Sequence, residues 1–549
     1  MNIQHCVAEP KKPQYRGGII VNPEFNSGLK GWAVFGQGAI EERISDGGNK
    51  FLVVHSRTNP TLGSFSQKLH LEEKKFYAFS AWVQVSEGNE AVSAVFKTED
   101  GRLVHGGTVT AKHGCWSMLK GGISVNISSP AELYFENKNA AVEIWVDNVS
   151  LQPFSREQWR SHQDERIEKI RKRKVRFEVT DADGTKLAGV QVSIKQTKSN
   201  FPFGCAMTQN ILTSTAYQNW FASRFTVTTF GNEMKWYSNE ARGQGQENYT
   251  TCDAMVSFAK ANNISVRGHN IFWDNPKYQP QWVKTLSPEE LRKAAARRID
   301  SVVSRYSGQL IGWDVVNENL HFSFFEDMLG KNASAVYYSR AHQLDPKTTM
   351  FLNEYNTIEV SSDKRANAEN YIQKLRDLQD FPGNEKLPFG IGLQGHFPSG
   401  QPNLAYMRAS IDLLGSAGFP LWLTEVDVDN DPNQAQYLEE ILREGYSNPA
   451  VEGIIVWSGP GIDGCGTMCL TDYNYKNTPT GDVVDKLLKE WKSKTLEATT
   501  NGDGYLETSL FHGEYDLTVK HPMRNSSRFL RFEVAKEGPE EIIHVGFHE

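Results

Sequence analysis

Three features predict an α/β chain. Eight short apolar runs alternate with helix-type runs through the centre, an all-β stretch comes first, and turn-linked strands stand on both flanks of the alternating region. The expected architecture is a (β/α)8 (TIM) barrel with an N-terminal β-sandwich or jelly-roll module. The segments flanking the barrel are expected to form a small β-sandwich. At 549 residues the chain exceeds one ordinary core. The divisions expected are residues 16–155 for the first module, 156–173 for a helical linker, 174–200 plus 496–549 for the split β-domain, and 201–495 for the barrel.

Each element has its own warrant. From Gly17 to Phe154, runs such as FLVVHS, FYAFSAWVQV, AVSAVFKT and VEIWVDNVSL are separated by Gly, Asn and Asp turns. The charged stretch EQWRSHQDERIEKIRKRK follows with a helical period. Its basic run, Arg166–Arg176, carries a Glu and lies between two apolar patterns, so it reads as a solvated connector. KVRFEVTDADGTKLAGVQVSIKQ is a lone hairpin, marginal in water by itself. The C-terminal strands around NGDGYLETSLFHGEYDLTV are its expected partners.

The barrel strands are expected at PFGCAM, RFTVTTF, SVRGHNIFW, LIGWDVVNE, TTMFLNEY, FGIGLQGH, PLWLTEVDV and VEGIIVWS. Among the helices between them, Ser287 caps, Pro288 takes the first turn and Glu290 closes a capping box. An open doubly wound sheet is the rival topology, but no Gly-rich phosphate loop follows the first strand.

Composition narrows the function. Net charge is −7 with no basic stripe, so nucleic acid is excluded as a partner. No run approaches the roughly 20 apolar residues that span a bilayer, so no membrane is expected. The first residues, MNIQHCVAEPKK, lack an apolar export segment, which argues against secretion of the chain as written. The six cysteines show no metal-type CxxC spacing, and Cys465 and Cys469 are close enough for a local disulfide in an oxidising compartment.

Chemistry is expected where strands end at the C-terminal face. The strand ends in order give Asn232, Lys235 and Trp236, then His269, Asn270 and Trp273, then Trp313, Asn317 and Glu318. They continue with Asn353, Glu354 and Tyr355, then Gln394 and His396, then Glu425 and Asp427, and finally Trp457. Two Glu directly after apolar runs, on strands four and seven, are costly to bury without a use. A carboxylate pair across a sugar cleft is what glycosidic cleavage requires. One protonates the leaving oxygen while the other, ionised, attacks the anomeric carbon or activates water. A gap of about 5–5.5 Å gives retention and roughly 6.5–9.5 Å inversion.

WDVVNE (313–318) and LTEVDV (423–428) resemble the acid/base and nucleophile signatures of glycoside hydrolase family 10, the endo-1,4-β-xylanases. NEMKW, RGHNIFW, LNEYN and GLQGH match further blocks in the same order. The resemblance implies a retaining endo-acting enzyme that cleaves β-1,4-xylan without cofactor or metal, outside the cell or in its wall, with the cytosol as the alternative location; a monomer is expected. Glu318 would be the acid/base and Glu425 the nucleophile. Asn317 would hydrogen-bond the sugar 2-hydroxyl, and His396 would orient Glu425 and keep it ionised. Asn232, Lys235, His269, Trp273, Gln394 and Trp457 would line the subsites that hold xylan or xylo-oligosaccharides.

The first region resembles carbohydrate-binding module family 22 through Arg57-Thr58, Ser66-Gln67 and Tyr134-Phe135-Glu136. Arg57, Tyr134 and Glu136 are its candidate sugar contacts. Three departures stand out: Gly231 where the family has Glu, no second Trp in the loop after strand eight, and no Trp after Arg57-Thr58. Gly231 and the missing second Trp motivate one alternative, a weak or inactive xylan-binding wall protein. The third departure leaves sugar binding by the module to Arg57, Tyr134 and Glu136 or removes it. A barrel hydrolase for another β-glucan or for galactosides is a further alternative.

Overall fold

The computed structural model describes residues 6–461, 465–521, 523, 526–538 and 541–547. Eight parallel strands close into a barrel: Phe203–Met207, Val227–Phe230, Ser265–Trp273, Gly312–Asn317, Thr349–Glu354, Phe389–Leu393, Leu421–Val428 and Val451–Val456. Closure is explicit, since the sixth strand pairs with the seventh, the seventh with the eighth and the eighth with the first. These are the eight runs read from the sequence. Ser287 caps the helix Pro288–Tyr306 through the expected capping box with Glu290.

Inside the barrel, Val227, Phe351, Trp422 and Ile455 form an apolar cluster. Gly312 and Gly390 admit the Phe351 ring, because a Cβ at either would lie 2.5–2.7 Å from ring carbons. A charged layer also lies within the barrel. Arg267 pairs with Asp314 at 2.5 Å, both fully buried, and Asp314 also receives His269 Nδ1 at 2.8 Å.

The first module packs two five-stranded antiparallel sheets face to face. One runs Ala33–Gly36, Gly63–Leu71, Ser129–Glu136, Asn89–Thr98, Leu103–Lys112. The other runs Ala39–Ile44, Lys50–His55, Ile144–Phe154, Phe76–Val85, Ser117–Ser124. Inward side chains of both, Leu52, Phe65, Phe79, Val92, Phe135 and Ile144 among them, make one core. The chain before residue 16 joins the module. Val7 pairs with Trp116, and Cys6 forms a disulfide with Cys115, a partner 109 residues away that spacing alone does not reveal.

A helix, Arg156–Arg171, clamps the module to the barrel. Glu444 is fully buried in a barrel helix and accepts from Trp159 Nε1 and Gln163 Nε2 at 2.9 Å each. Arg408 meets it bidentately at 2.6 and 2.8 Å, so the buried charge is paired and fully hydrogen-bonded. The helix stops at Arg171 and strand Lys172–Thr180 begins at once, two residues before the expected boundary. The reason is tertiary: Lys172 is already in register with Phe511.

That strand lies between Tyr505–Phe511 and Glu541–Gly546, while Gln191–Ser199 lies between Leu496–Thr499 and Gly513–Lys520, the latter flanked by Ser527–Val534. Both small sheets thus mix strands from before and after the barrel, around a core of Val175, Phe177, Val192, Ile194, Leu517 and Val534. Deleting residues 496–549 leaves two strands unpartnered and this core open. We expect the barrel to melt at least about 10 °C lower in a thermal scan, and an unchanged melt would show that the barrel does not use it.

Candidate active site

Glu318 follows the fourth strand in the left-handed backbone region, at φ 61°. Its amide donates to the Asn353 carbonyl on strand five at 3.0 Å. The carboxyl receives Trp273 Nε1 at 2.7 Å on Oε2 and Gln394 Nε2 at 3.3 Å on Oε1. Glu425 lies within strand seven, its amide donating to the Gln394 carbonyl at 2.7 Å. Its carboxylate receives Asn353 Nδ2 at 2.7 Å and meets His396 Nε2 at 3.4 Å. The two acidic groups therefore share supports. Gln394 holds Glu318 by its side chain and Glu425 by its backbone, and Asn353 does the reverse, meeting Glu318 by its backbone carbonyl and Glu425 by its side chain.

Their environments push them apart. Burial raises the Glu318 carboxyl to about 7, helped by the neighbouring anions Glu354 and Glu425 and opposed by the Trp273 and Gln394 hydrogen bonds. Burial also works to raise Glu425. There, nearby His269, the hydrogen bond and charge of His396, and Lys235 outweigh it and hold the carboxyl at about 2. His396 is itself lifted well above the usual imidazole range: burial opposes its charge, but Asp427 at 2.8 Å and Glu425 prevail. One acid is poised to carry a proton near neutrality while its neighbour stays ionised.

The remaining strand ends build walls. Lys235 is buried, with Nζ 3.3 Å from Asn232 Oδ1 and set over the rings of Trp273 and Trp457 at 4.7 and 5.8 Å. Trp273 stacks on Tyr278 at 4.0 Å, and Trp457 meets His269 edge-on. Asn232 is exposed and also accepts from the Tyr237 hydroxyl at 2.6 Å. Asn317 accepts from Asn353 Nδ2 at 2.9 Å, and its own buried Nδ2 has no partner among the described residues. A free amide donor therefore lies beside the carboxylate pair.

Two aromatic residues counted among the strand ends turn away. Trp313 is fully buried outside the barrel wall and donates to Asp345 at 3.1 Å, because strand alternation sends Asp314 inward instead. Trp236 packs against Phe272 and Trp282 and donates to Glu240. A Cβ at Gly231 would meet only the Met207 carbonyl at 3.9 Å, so packing does not exclude a side chain there. The loop expected to lack a second Trp runs through residues 462–464, which lie outside the described residues.

In the first module the three candidate sugar contacts part company. Arg57 donates to the carbonyls of Gly63, Asn139, Val142, Pro60 and Asn137 at 2.7–3.1 Å. All five guanidinium N–H groups are spent on backbone carbonyls, which leaves none for a sugar. Tyr134 is 1% exposed, stacked on Phe35 at 4.1 Å and bonded to Glu136. Glu136 alone reaches a cleft of about 250 Å³ between module and barrel, lined with Thr61, Ser93, Thr108, Asn137 and Asn367, where Lys364 stands 3.6 Å away.

Residues to which the sequence analysis gave no role also belong to the centre. Asn353 and Tyr355 obey the same strand-end rule, and their position in LNEYN was the available signal. Tyr278 and Gln279 come from a loop whose path no periodicity reveals; Gln279 Nε2 is 3.0 Å from the Asn275 carbonyl and also donates to that of Trp273.

A closed (β/α)8 barrel that carries two carboxyl groups in opposite ionisation at the ends of strands four and seven has the working parts of a glycoside hydrolase. The description of glycosyl hydrolase family 10 matches residues 193–464, and that of a carbohydrate binding domain matches residues 17–141. The chain belongs to glycosyl hydrolase family 10. Endo-1,4-beta-xylanase 5-like of Arabidopsis thaliana is 49% identical over 496 residues, covering 89% of this chain and 87% of that protein. Endo-1,4-beta-xylanase 5 of the same plant is 45% identical, covering 98% of this chain and 93% of its own length. Endo-1,4-beta-xylanase 4 is 46% identical, with 91% and 89% covered.

Proposed function

We propose that the chain is a retaining endo-1,4-β-xylanase working by double displacement. The jointly braced carboxyl groups, one raised to about 7 and one held at about 2, carry the two-acid cleavage, while retention and the choice of xylan follow from membership of glycosyl hydrolase family 10 and likeness to the Arabidopsis endo-xylanases. Glu425 attacks the anomeric carbon of a xylosyl unit while Glu318 gives its proton to the departing oxygen. Water, deprotonated by Glu318, then attacks the anomeric carbon and releases Glu425.

Asn317 offers its unpaired Nδ2 to the 2-hydroxyl of the sugar at the cleavage point. Lys235, Asn232, His269, Trp273, Gln394, His396 and Trp457 line the cleft around it. Gly231 leaves the distal glycone end without a carboxylate, which weakens binding there rather than chemistry. A binding protein without catalysis has no need of two acids held in opposite protonation states, which argues against the wall-binding alternative.

Each part of the chain has its own role in this reading. The first module holds polysaccharide near the barrel, with Glu136 as its nearest sugar contact. The connecting helix fastens that module in place, and the split β-domain braces the barrel's base. In this reading the enzyme acts as a monomer. We place it outside the cell, in the wall. Disulfides Cys6–Cys115 and Cys465–Cys469 suit an oxidising compartment. Among the described residues no helix is long and apolar enough to cross a membrane.

Incubation with β-1,4-xylan tests the reading: internal cleavage yields mid-length products whose new reducing ends appear first as the β-anomer. Xylan left at full length, or α-anomer first, rejects it. The pH profile follows from the two acids. Turnover needs Glu318 protonated and Glu425 ionised, so kcat/KM stays high through mildly acidic pH and falls as pH rises through about 7.

A further inference from the structure

Three residues beyond Glu318, His321 sits between two acids. Nδ1 is 2.7 Å from Glu354 and Nε2 is 2.9 Å from Asp363. Its ring lies flat against Tyr355, centroids 3.8 Å apart and planes within 11°. Glu354 is fully buried, and its oxygens also receive the amides of Leu320 at 2.8 Å and Tyr355 at 3.1 Å. Burial pushes the Glu354 carboxyl up, but every contact is a donor and opposes that shift, the environment of a carboxylate rather than an acid. Asp363 in turn takes the Asn356 amide at 2.8 Å and the Arg365 backbone amide at 3.0 Å, which ties down the loop after strand five.

We propose that His321 is a positioning residue for the leaving-group half of the cleft. Clamped by Glu354 and Asp363, it fixes the partly exposed Tyr355 ring beside Glu318 and keeps Glu354 as a buried anion behind that acid. This rests on the xylanase reading above. The ring beside the proton donor is where the departing sugar must lie, since Glu318 has to reach its glycosidic oxygen.

The charged and titratable groups facing this corner are Glu354 on strand five, Tyr355, Asp363 and Arg365 on the loop that follows, and Glu425 and Lys235 across the cleft. Burial works against a charge on His321, but the hydrogen bonds to its two acids and their fields raise it to about 8. The imidazole is thus a cation throughout the active range.

The test compares two substrates in the full chain: a linear xylo-oligosaccharide that spans the cleavage point, and dinitrophenyl β-xylobioside, whose leaving group needs neither a proton nor a sugar contact. His321→Gln is expected to lower kcat/KM on the oligosaccharide about 10–100-fold and to leave the aryl substrate within about twofold. Glu354→Gln removes an anion that disfavours ionised Glu318, so the alkaline limb moves to lower pH.

Asp363→Asn loosens the more exposed arm of the clamp and is expected to act in the same direction, less strongly, should the buried variants unfold. Equal losses on both substrates, no loss on either, or an alkaline limb that stays in place overturns the inference. A wild-type chain that cleaves no xylo-oligosaccharide refutes the xylanase reading instead, whatever the variants do.

Discussion

Glu425→Ala is expected to lower xylan turnover by at least about 10⁴-fold, with the fold intact. The side chain removed is the group braced to meet an anomeric carbon as an anion. Asn353, His396 and the Gln394 carbonyl after strand six all converge on this residue. Without it no glycosyl–enzyme bond forms, and an added azide ion should enter the vacated space and attack from the same face. The product would then be the α-glycosyl azide. Release of xylan products at a wild-type rate by this variant would remove Glu425 from the mechanism.

Glu318→Ala is expected to cost about 10²–10⁴-fold on xylan, the ordinary worth of a positioned general acid and base. The loss should be selective. Xylan has a poor leaving group that needs the proton, whereas an activated aryl xylobioside departs without it, so its glycosyl-enzyme still forms and then accumulates. Azide needs no general base and should relieve that block, giving the β-glycosyl azide by attack on the intermediate. The alkaline limb near pH 7 should vanish together with the acid that causes it. Equal losses on both substrates would assign Glu318 a merely structural part.

The corner around His321 shows where sequence pattern stops. His321 stands in NENLHF, off any strand end, and nothing in its spacing announces two acid partners that lie 33 and 42 residues away. Trp313 shows the converse. It sits in a motif that looks like an active-site block, yet alternation along a strand turns it outward while Asp314 faces in. Arg57 belongs to a binding-module pattern and is consumed by five backbone carbonyls, a count visible only once the chain is folded around it.

Local pattern along the chain was enough for the eight-stranded barrel, the all-β module before it and the residue types at the strand ends. These follow from periods of 2 and 3.6 and from turn chemistry, all local along the chain. Which acid holds a proton is settled by folding. That depends on burial and on neighbours contributed by strands two to six, most of them far from Glu318 and Glu425 in sequence. A carboxyl's charge reflects everything within a few ångströms, and that neighbourhood comes into existence when the barrel closes.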